Sequence, residues 1–398
     1  MFDKLDQIFV TALHWLVSYV PEMLRPVVSA MICIAFVMAV FPGVFAITTV
    51  LERKILGRIQ NRYGPNRVGV PFTKIRLCGF GQFIPDGIKS LTKEDIVPRA
   101  ADKVVHFLAP VVMLIPVLVS YAVLPFGKHM TITDYDAGLL FFFAVGGAVE
   151  VSVFMAGWSS RNKYSLLGAM RAIAQMVSYE IPLILSAVTV VMIVGSLNLS
   201  EIVQHQNHYT FGVAHWHVFT PWGLVGFVLF FIASLAESNR TPFDLPEAES
   251  EIIAGYFTEY SGFKFALFFL GEYLGMFAII GLGITLFLGG WTAPFSFLEW
   301  IPSWIWFLTK MMTIVFVFIW IRGTLPRLRM DQLMNFAWKF MLPLALINIL
   351  VAGIWHYMAA DWQRWLVCSA IIVGAYAILG RGLMQNQNFG KRIYRYAE

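Results

Sequence analysis

The chain is predicted to be an all-α, polytopic integral membrane bundle of eight core transmembrane helices with a ninth behind them, plus an amphipathic helix in the membrane interface. Two observations predict it. Apolar runs near 20 residues, the length that crosses a hydrocarbon core of about 30 Å, recur along the whole chain. Only 13% of residues are charged against 58% hydrophobic, and a mean hydropathy of +0.69 is incompatible with the polar exterior of a water-soluble globule.

The first span is expected at 26–50. The preceding residues carry Asp3, Lys4 and Asp6, with no basic stretch and no small-residue cleavage site, so this span is expected to serve as the insertion signal and no removable signal peptide is predicted. Further spans are expected at 105–125, 138–158, 165–195, 219–237, 263–288, 303–321 and 340–358, and the ninth at 365–383. The whole of 1–398 reads as one integral membrane domain without an internal repeat of the kind seen in many transporters.

Orientation follows from the basic residues, which cytoplasmic loops retain. Placing 51–104, the 159–171 turn, the acidic segment with the adjoining Lys264, the 322–339 loop and the tail on one side leaves only Lys4, Arg25, Lys128, Lys310 and Arg364 elsewhere, out of 29. That side is expected to be cytoplasmic, with the N-terminus outside and the chain in the bacterial cell (inner) membrane. The net charge of +5 reflects this topology and not nucleic-acid binding.

Residues 51–104 form the longest connection, with eleven Lys and Arg against five acids. Phe80, Phe83, Ile84, Ile88 and Leu91 recur at helical spacing between Gln82, Asp86, Lys89 and Lys93, which predicts a helix lying in the interface. Upstream, Arg53, Arg58, Arg62 and Arg67 alternate with Gly57, Gly64, Pro65 and Gly69, a basic and turn-rich piece. It suits anionic headgroups or, as the glycines favour a fixed fold, a docked soluble partner.

The connection at 237–262 is acidic. Glu237, Asp244, Glu247, Glu249, Glu251 and Glu259 lie within one short segment. Glu247 and Glu251 would share one helical face, after a capped start at Asp244. Capping and solvation account for part of this density. The remainder points to proton handling or to a charged partner.

Charges inside the spans extend the theme. A charged residue at mid-bilayer costs roughly 2.5–3.5 kcal/mol on insertion scales and usually faces an interior path or a partner. Glu150, Arg171, Glu180, Glu272 and Lys310 occupy such positions, while Glu52, Arg53 and Glu237 lie at span ends. Pro182 removes a helical hydrogen bond two residues after Glu180, which suits a hydrated path. Structural ion pairing between helices is the competing explanation. Cys33, Cys78 and Cys368 have no metal-ligand spacing, and His205, His208, His215 and His217 read as a solvated loop, so no metal or cluster site is expected in this chain.

Several long motifs carry a family resemblance: LERKILGRIQNRYGPNRVG at 51–69, DGIKSLTKEDIVP at 86–98, AGWSSRNKYSLLGAMRAIAQMVSYE at 156–180, ESNRTPFDLPEAESEIIAGYFTEYSG at 237–262 and FIWIRGTLPRLRMDQLMNFAWK at 318–339. Over about residues 45–360 the chain resembles the quinone-site membrane subunit of proton-pumping NADH:quinone oxidoreductase, respiratory complex I. The resemblance implies a subunit that shapes much of the quinone tunnel beside two soluble subunits, one bearing the terminal iron-sulfur cluster. Quinone is then the substrate, FMN and the clusters sit in partner subunits, and further partners are the small membrane-arm subunits and lipid. It also implies that the interfacial helix flanks the quinone entrance. Arg53, Arg58, Arg62, Phe243 and Glu237 are the residues expected on the quinone side. Asp244, Glu247, Glu249, Glu251, Glu180 and Glu272 are expected to link the quinone chamber to the membrane arm. Glu150 joins that set from its position in a span, where many relatives have an uncharged residue. The equivalent subunit of a membrane-bound hydrogenase or ferredoxin-dependent complex is the alternative, because it shares this ancestry.

Overall fold

The computed structural model describes residues 6–69, 79–210, 212–244, 254–358 and 360–386. The polypeptide is helical almost throughout. A short helix α1 (Ile8–Ser18) precedes α2 (Arg25–Ile59), whose 35 residues extend about 52 Å and so overrun a hydrocarbon core of about 30 Å. The excess is its basic end. Residues expected to form a turn-rich piece, Arg53 and Arg58 among them, therefore continue the first span as helix, because Leu51, Ile55, Leu56 and Ile59 keep an apolar stripe at helical spacing.

The interfacial helix forms as α3 (Phe83–Thr92), preceded by a 3-10 turn at Phe80–Gln82. It leaves Phe83, Ile84, Ile88 and Leu91 exposed, as a helix resting on lipid requires. Next comes α4 (Lys103–Ser120), capped by Asp102, whose carboxylate accepts from the Val104 and Val105 amides. The third span is broken at adjacent glycines into α5 (Gly138–Gly146) and α6 (Ala148–Ser159). In α7 (Lys163–Val194), Asn162 caps one end and Gly195, at φ +79°, closes the other in the left-handed region. Pro182 is accommodated without ending the helix.

A short helix α8 (Leu199–His205) and a two-residue antiparallel ladder of β1 (Tyr209–Thr210) and β2 (Val213–Ala214) lead into α9 (Pro221–Glu237). Then follow α10 (Gly262–Phe287), α11 (Ser303–Thr324), α12 (Met330–Phe336), a π turn at Ala337–Met341, α13 (Leu342–Tyr357) and α14 (Asp361–Asn386). Among the described residues eight helical stretches are long and apolar enough to cross a membrane, and α9, with 17 residues, is a shorter apolar helix. The last of the eight, Trp362–Gly382, coincides with the ninth expected span.

Helix α10 is the centre of the bundle. Its most apolar stretch is 61% buried inside the protein, against 11% for those of α2 and α14, which line the periphery. Small residues permit the closest approaches. A Cβ on Gly168 of α7 would stand 2.7 Å from the Gly255 Cα, and one on Gly157 of α6 would meet the Ala169 Cβ at 2.4 Å.

Ion pairs gather the two ends of the spans unequally. At the basic end Arg53 pairs with Asp86 at 2.6 Å, Lys264 with Asp95 at 2.7 Å and Arg327 with Asp244 at 3.2 Å. At the other end the buried Gln206 donates to the Thr285 and Leu286 carbonyls and accepts from the Gly289 amide. Lys310 there donates to the Leu288, Gly290 and Thr292 carbonyls at 2.7–2.9 Å and lies over the Trp216 ring. His217, expected in a solvated loop, is instead buried against Trp222. Its Nδ1 lies 2.8 Å from the Leu286 carbonyl and its Nε2 3.5 Å from His205. The loop folds back on α10, which sequence spacing does not disclose. Among the described residues no group of three ligands is placed to hold a metal ion.

Candidate proton-coupling site

The site begins where α9 ends. Gln175, fully buried on α7, donates through Nε2 to the Ala236 carbonyl at 2.8 Å, the Phe243 carbonyl at 2.7 Å and Asn239 Oδ1. One amide thus ties down the turn from 236 to 243, which contains a cis Thr241–Pro242 peptide. Phe243 is buried with its ring 5.3 Å from that of Tyr179, and the Leu328 amide donates to the Pro242 carbonyl. The turn is therefore fixed between α7 and the loop before α12.

That turn presents Arg240 to Glu52. The Glu52 side chain, 8% exposed, lies 3.7 Å from Arg240, forms an ion pair with Arg322 and accepts from the Tyr273 hydroxyl. The Arg240 guanidinium also rests 3.9 Å above the Tyr273 ring. Burial opposes its charge, but Tyr273, Glu52 and Glu272 outweigh this and hold its pKa above the ordinary range. Four elements, α2, the turn, α10 and α11, meet in this cluster. Space here is about 10 Å³, room for about one water at most.

Deeper in the bundle lie the acids. Glu272 of α10 is buried and accepts from the Tyr256 hydroxyl at 2.9 Å. A cavity of about 70 Å³ separates it from Glu237, with Ser238, Asn239 and Ser120 also in its lining. That volume and polar lining suit a few waters. Glu237 lies within electrostatic reach of both Glu180 and Glu150, and a Cβ on Gly147 would stand 3.8 Å from a Glu180 oxygen. Carboxylates from α6, α7, α9 and α10 thus share one interior region. Among the described residues the buried Glu150 Oε1 and Glu237 Oε2 have no hydrogen-bond partner.

Not every expected residue joins it. Glu150, Glu180, Glu237 and Glu272 converge. Asp244 is buried at the basic end, paired with Arg327. Arg53 faces Asp86, Arg58 lies over Tyr63 and Arg62 donates to Gln60 at 2.7 Å, all three exposed near the interfacial helix and apart from the acids. Glu247, Glu249 and Glu251 lie outside the described residues. Arg240, Arg322, Tyr273, Gln175 and Tyr256 belong to the site and were not singled out by sequence. The signal available for the two arginines was Glu52, a carboxylate near a span end that needs a counter-charge.

The family profile described as NADH dehydrogenase matches residues 31–353. The chain belongs to the NADH dehydrogenase family. It is 48% identical to the NADH-quinone oxidoreductase H subunit of Bacillus cytotoxicus and 49% identical to the protein of that name from Geobacillus kaustophilus, each over 76% of this chain and 86% of the relative. With the protein of the same name from Bacillus thuringiensis subsp. konkukian the identity is 50% over the same shares. The NADH dehydrogenase match contains every member of the acid and arginine clusters described above. It excludes α1 and α14.

Proposed function

We propose that this chain is the quinone-side membrane subunit of a proton-translocating NADH:quinone oxidoreductase, not active alone, and that it carries the free energy of quinone reduction into the membrane arm. The observation that carries this is the succession Glu52, Glu272, Glu237, Glu180 and Glu150, from the ion-paired basic end into the bundle, with a cavity of about 70 Å³ in the middle. The relatives' names favour the quinone enzyme over a hydrogenase.

Reducing a quinone to the quinol requires two electrons and two protons. Electrons come from NADH through FMN and iron-sulfur clusters in partner subunits. The exposed arginines Arg53, Arg58 and Arg62 and the adjoining α3 form the surface toward those subunits and the tunnel mouth, while the 237–244 turn with Phe243 forms its inner wall. Charge appearing at the quinone acts on the Glu52–Arg240–Arg322 cluster, since an interior of low dielectric transmits it with little loss. Carboxylates crowded in such an interior cannot all be ionised cheaply, so one change in charge redistributes protons among Glu272, Glu237, Glu180 and Glu150. Glu247, Glu249 and Glu251 would feed this file from the chamber. The site lies in the cytoplasmic half, with the N-terminus on the opposite side.

Glu237→Gln and Glu180→Gln, each in the assembled complex in inverted membrane vesicles, test it. The expected result is NADH oxidation with proton uptake reduced about a hundredfold or more, the size of losing one proton-transfer group. Full uptake per NADH in both variants would remove these acids from the coupling path.

A further inference from the structure

A second cavity, of about 600 Å³, lies at the basic end between α9, α11 and α12. It adjoins the site through Phe243 but contains none of the acids of the coupling file. We propose that it binds one amine-bearing zwitterionic phospholipid, a phosphatidylethanolamine, with its chain against α9 and α11 and its headgroup on α12.

The argument begins with the two unlike walls. Phe231, Ile232 and Leu235 of α9 face Ile321 and Leu325 at the end of α11, a slot for hydrocarbon. Opposite, Asp331, Gln332, Asn335 and Lys339 recur at helical spacing and give one polar face. The volume falls within the range of small-molecule sites, about 300–1,000 Å³.

Depth matches the chemistry. From Met330 to Tyr357 the chain is continuously helical for 28 residues, about 42 Å, so its first turns extend past the hydrocarbon into the headgroup layer. Along those turns Asp331 is outermost and Lys339 innermost. An aminophospholipid has the same order: ammonium outermost, phosphate next, chains deepest. Lys339 sits in the π turn, a local widening of the helix that often marks a functional site, and its stem can carry the ammonium up to a phosphate. Gln332 and Asn335 lie between the two charges and suit the ester and glycerol oxygens. A neutral quinone headgroup would leave both Asp331 and Lys339 without a charged partner, and a purely anionic lipid would meet Asp331 with the wrong sign.

The inference does not depend on the acids carrying protons, and its test does not read pumping. The purified, delipidated complex is incubated with a phosphatidylethanolamine carrying a photoreactive group on one acyl chain, irradiated, and the labelled peptides are mapped. Labelling is expected on the peptides containing Phe231–Leu235 and Ile321–Leu325. Unlabelled phosphatidylethanolamine should compete about fivefold better than phosphatidylglycerol, the scale of one half-exposed ion pair. Asp331→Asn should abolish that preference, and Lys339→Gln should weaken both labelling by the phosphatidylethanolamine probe and competition by phosphatidylglycerol. Leu325→Trp, which fills the mouth from an exposed position, should reduce labelling should the polar variants fail to assemble. Labelling spread evenly over lipid-facing helices, equal competition by phosphatidylglycerol, or displacement by a short-chain quinone overturns the proposal.

Discussion

Glu52 and Arg53 are neighbours in sequence with very different energetic weight. Glu52 pairs with two guanidiniums in a site where its own side chain is 8% and that of Arg240 9% exposed, whereas the Arg53 and Asp86 side chains are 55% and 37% exposed. Breaking a buried pair strands the remaining charge, at a cost of about 3–5 kcal/mol. An exposed pair contributes up to about 1 kcal/mol. Glu52→Gln is therefore expected to lower the apparent melting temperature of the assembled complex markedly and Arg53→Gln scarcely, measured by thermal unfolding of both. A second residue-level expectation concerns His217, whose burial pushes the imidazole pKa down to about 4. The folded chain then holds it neutral while the unfolded chain takes up a proton near pH 6.5. Its contribution is complete above about pH 6.5 and is lost as the pH falls toward 4, up to roughly 3 kcal/mol. Wild type should therefore lose more thermal stability between pH 7 and pH 5 than His217→Gln does, and equal losses would assign the acid sensitivity to other groups.

At the level of elements, the contact between α7 and the 254–257 segment sets the geometry of Glu272. Gly168→Ala would drive a Cβ into the Gly255 backbone, displacing Tyr256, whose hydroxyl holds Glu272. Overpacking of this kind costs about 1–3 kcal/mol. We expect reduced coupling with helix content retained, read as proton uptake per NADH beside circular dichroism. The spans themselves were legible because bilayer thickness imposes a length on apolar runs. Two features were not. The extension of α2 to Ile59 is hidden by its charges, which read as loop although the apolar spacing persists. The Arg240 and Arg322 pairing is hidden because arginines at the basic end are already explained by membrane orientation, and only a partner distant in sequence, Glu52, distinguishes them. Among the acids, Glu150 is the least secure by sequence position, yet it stands with Glu180 and Glu237, because the break at Gly146–Gly147 does not carry α6 away from α7.

Across the whole molecule, the matched core and its additions separate cleanly. Helix α14 lies beyond the family match, packs mainly on α13 and is largely exposed, with Cys368 and Tyr376 among its few inward contacts. Ending the chain after residue 358 should therefore leave NADH:quinone reductase activity of the assembled complex within about twofold of wild type, a change of less than 1 kcal/mol. A larger fall would make α14 part of the working core. The two ends of the bundle are also fastened by different forces. Carboxylate–guanidinium and carboxylate–ammonium contacts close the basic end, whereas the opposite end relies on Gln206 and on the Lys310 ammonium seated among uncharged carbonyls. Raising ionic strength shortens the Debye length, which screens the exposed member of the first kind, Arg53–Asp86, and leaves the buried Glu52 pairs and the second kind nearly untouched. Concentrated electrolyte should thus loosen this protein first at the side where its basic residues gather.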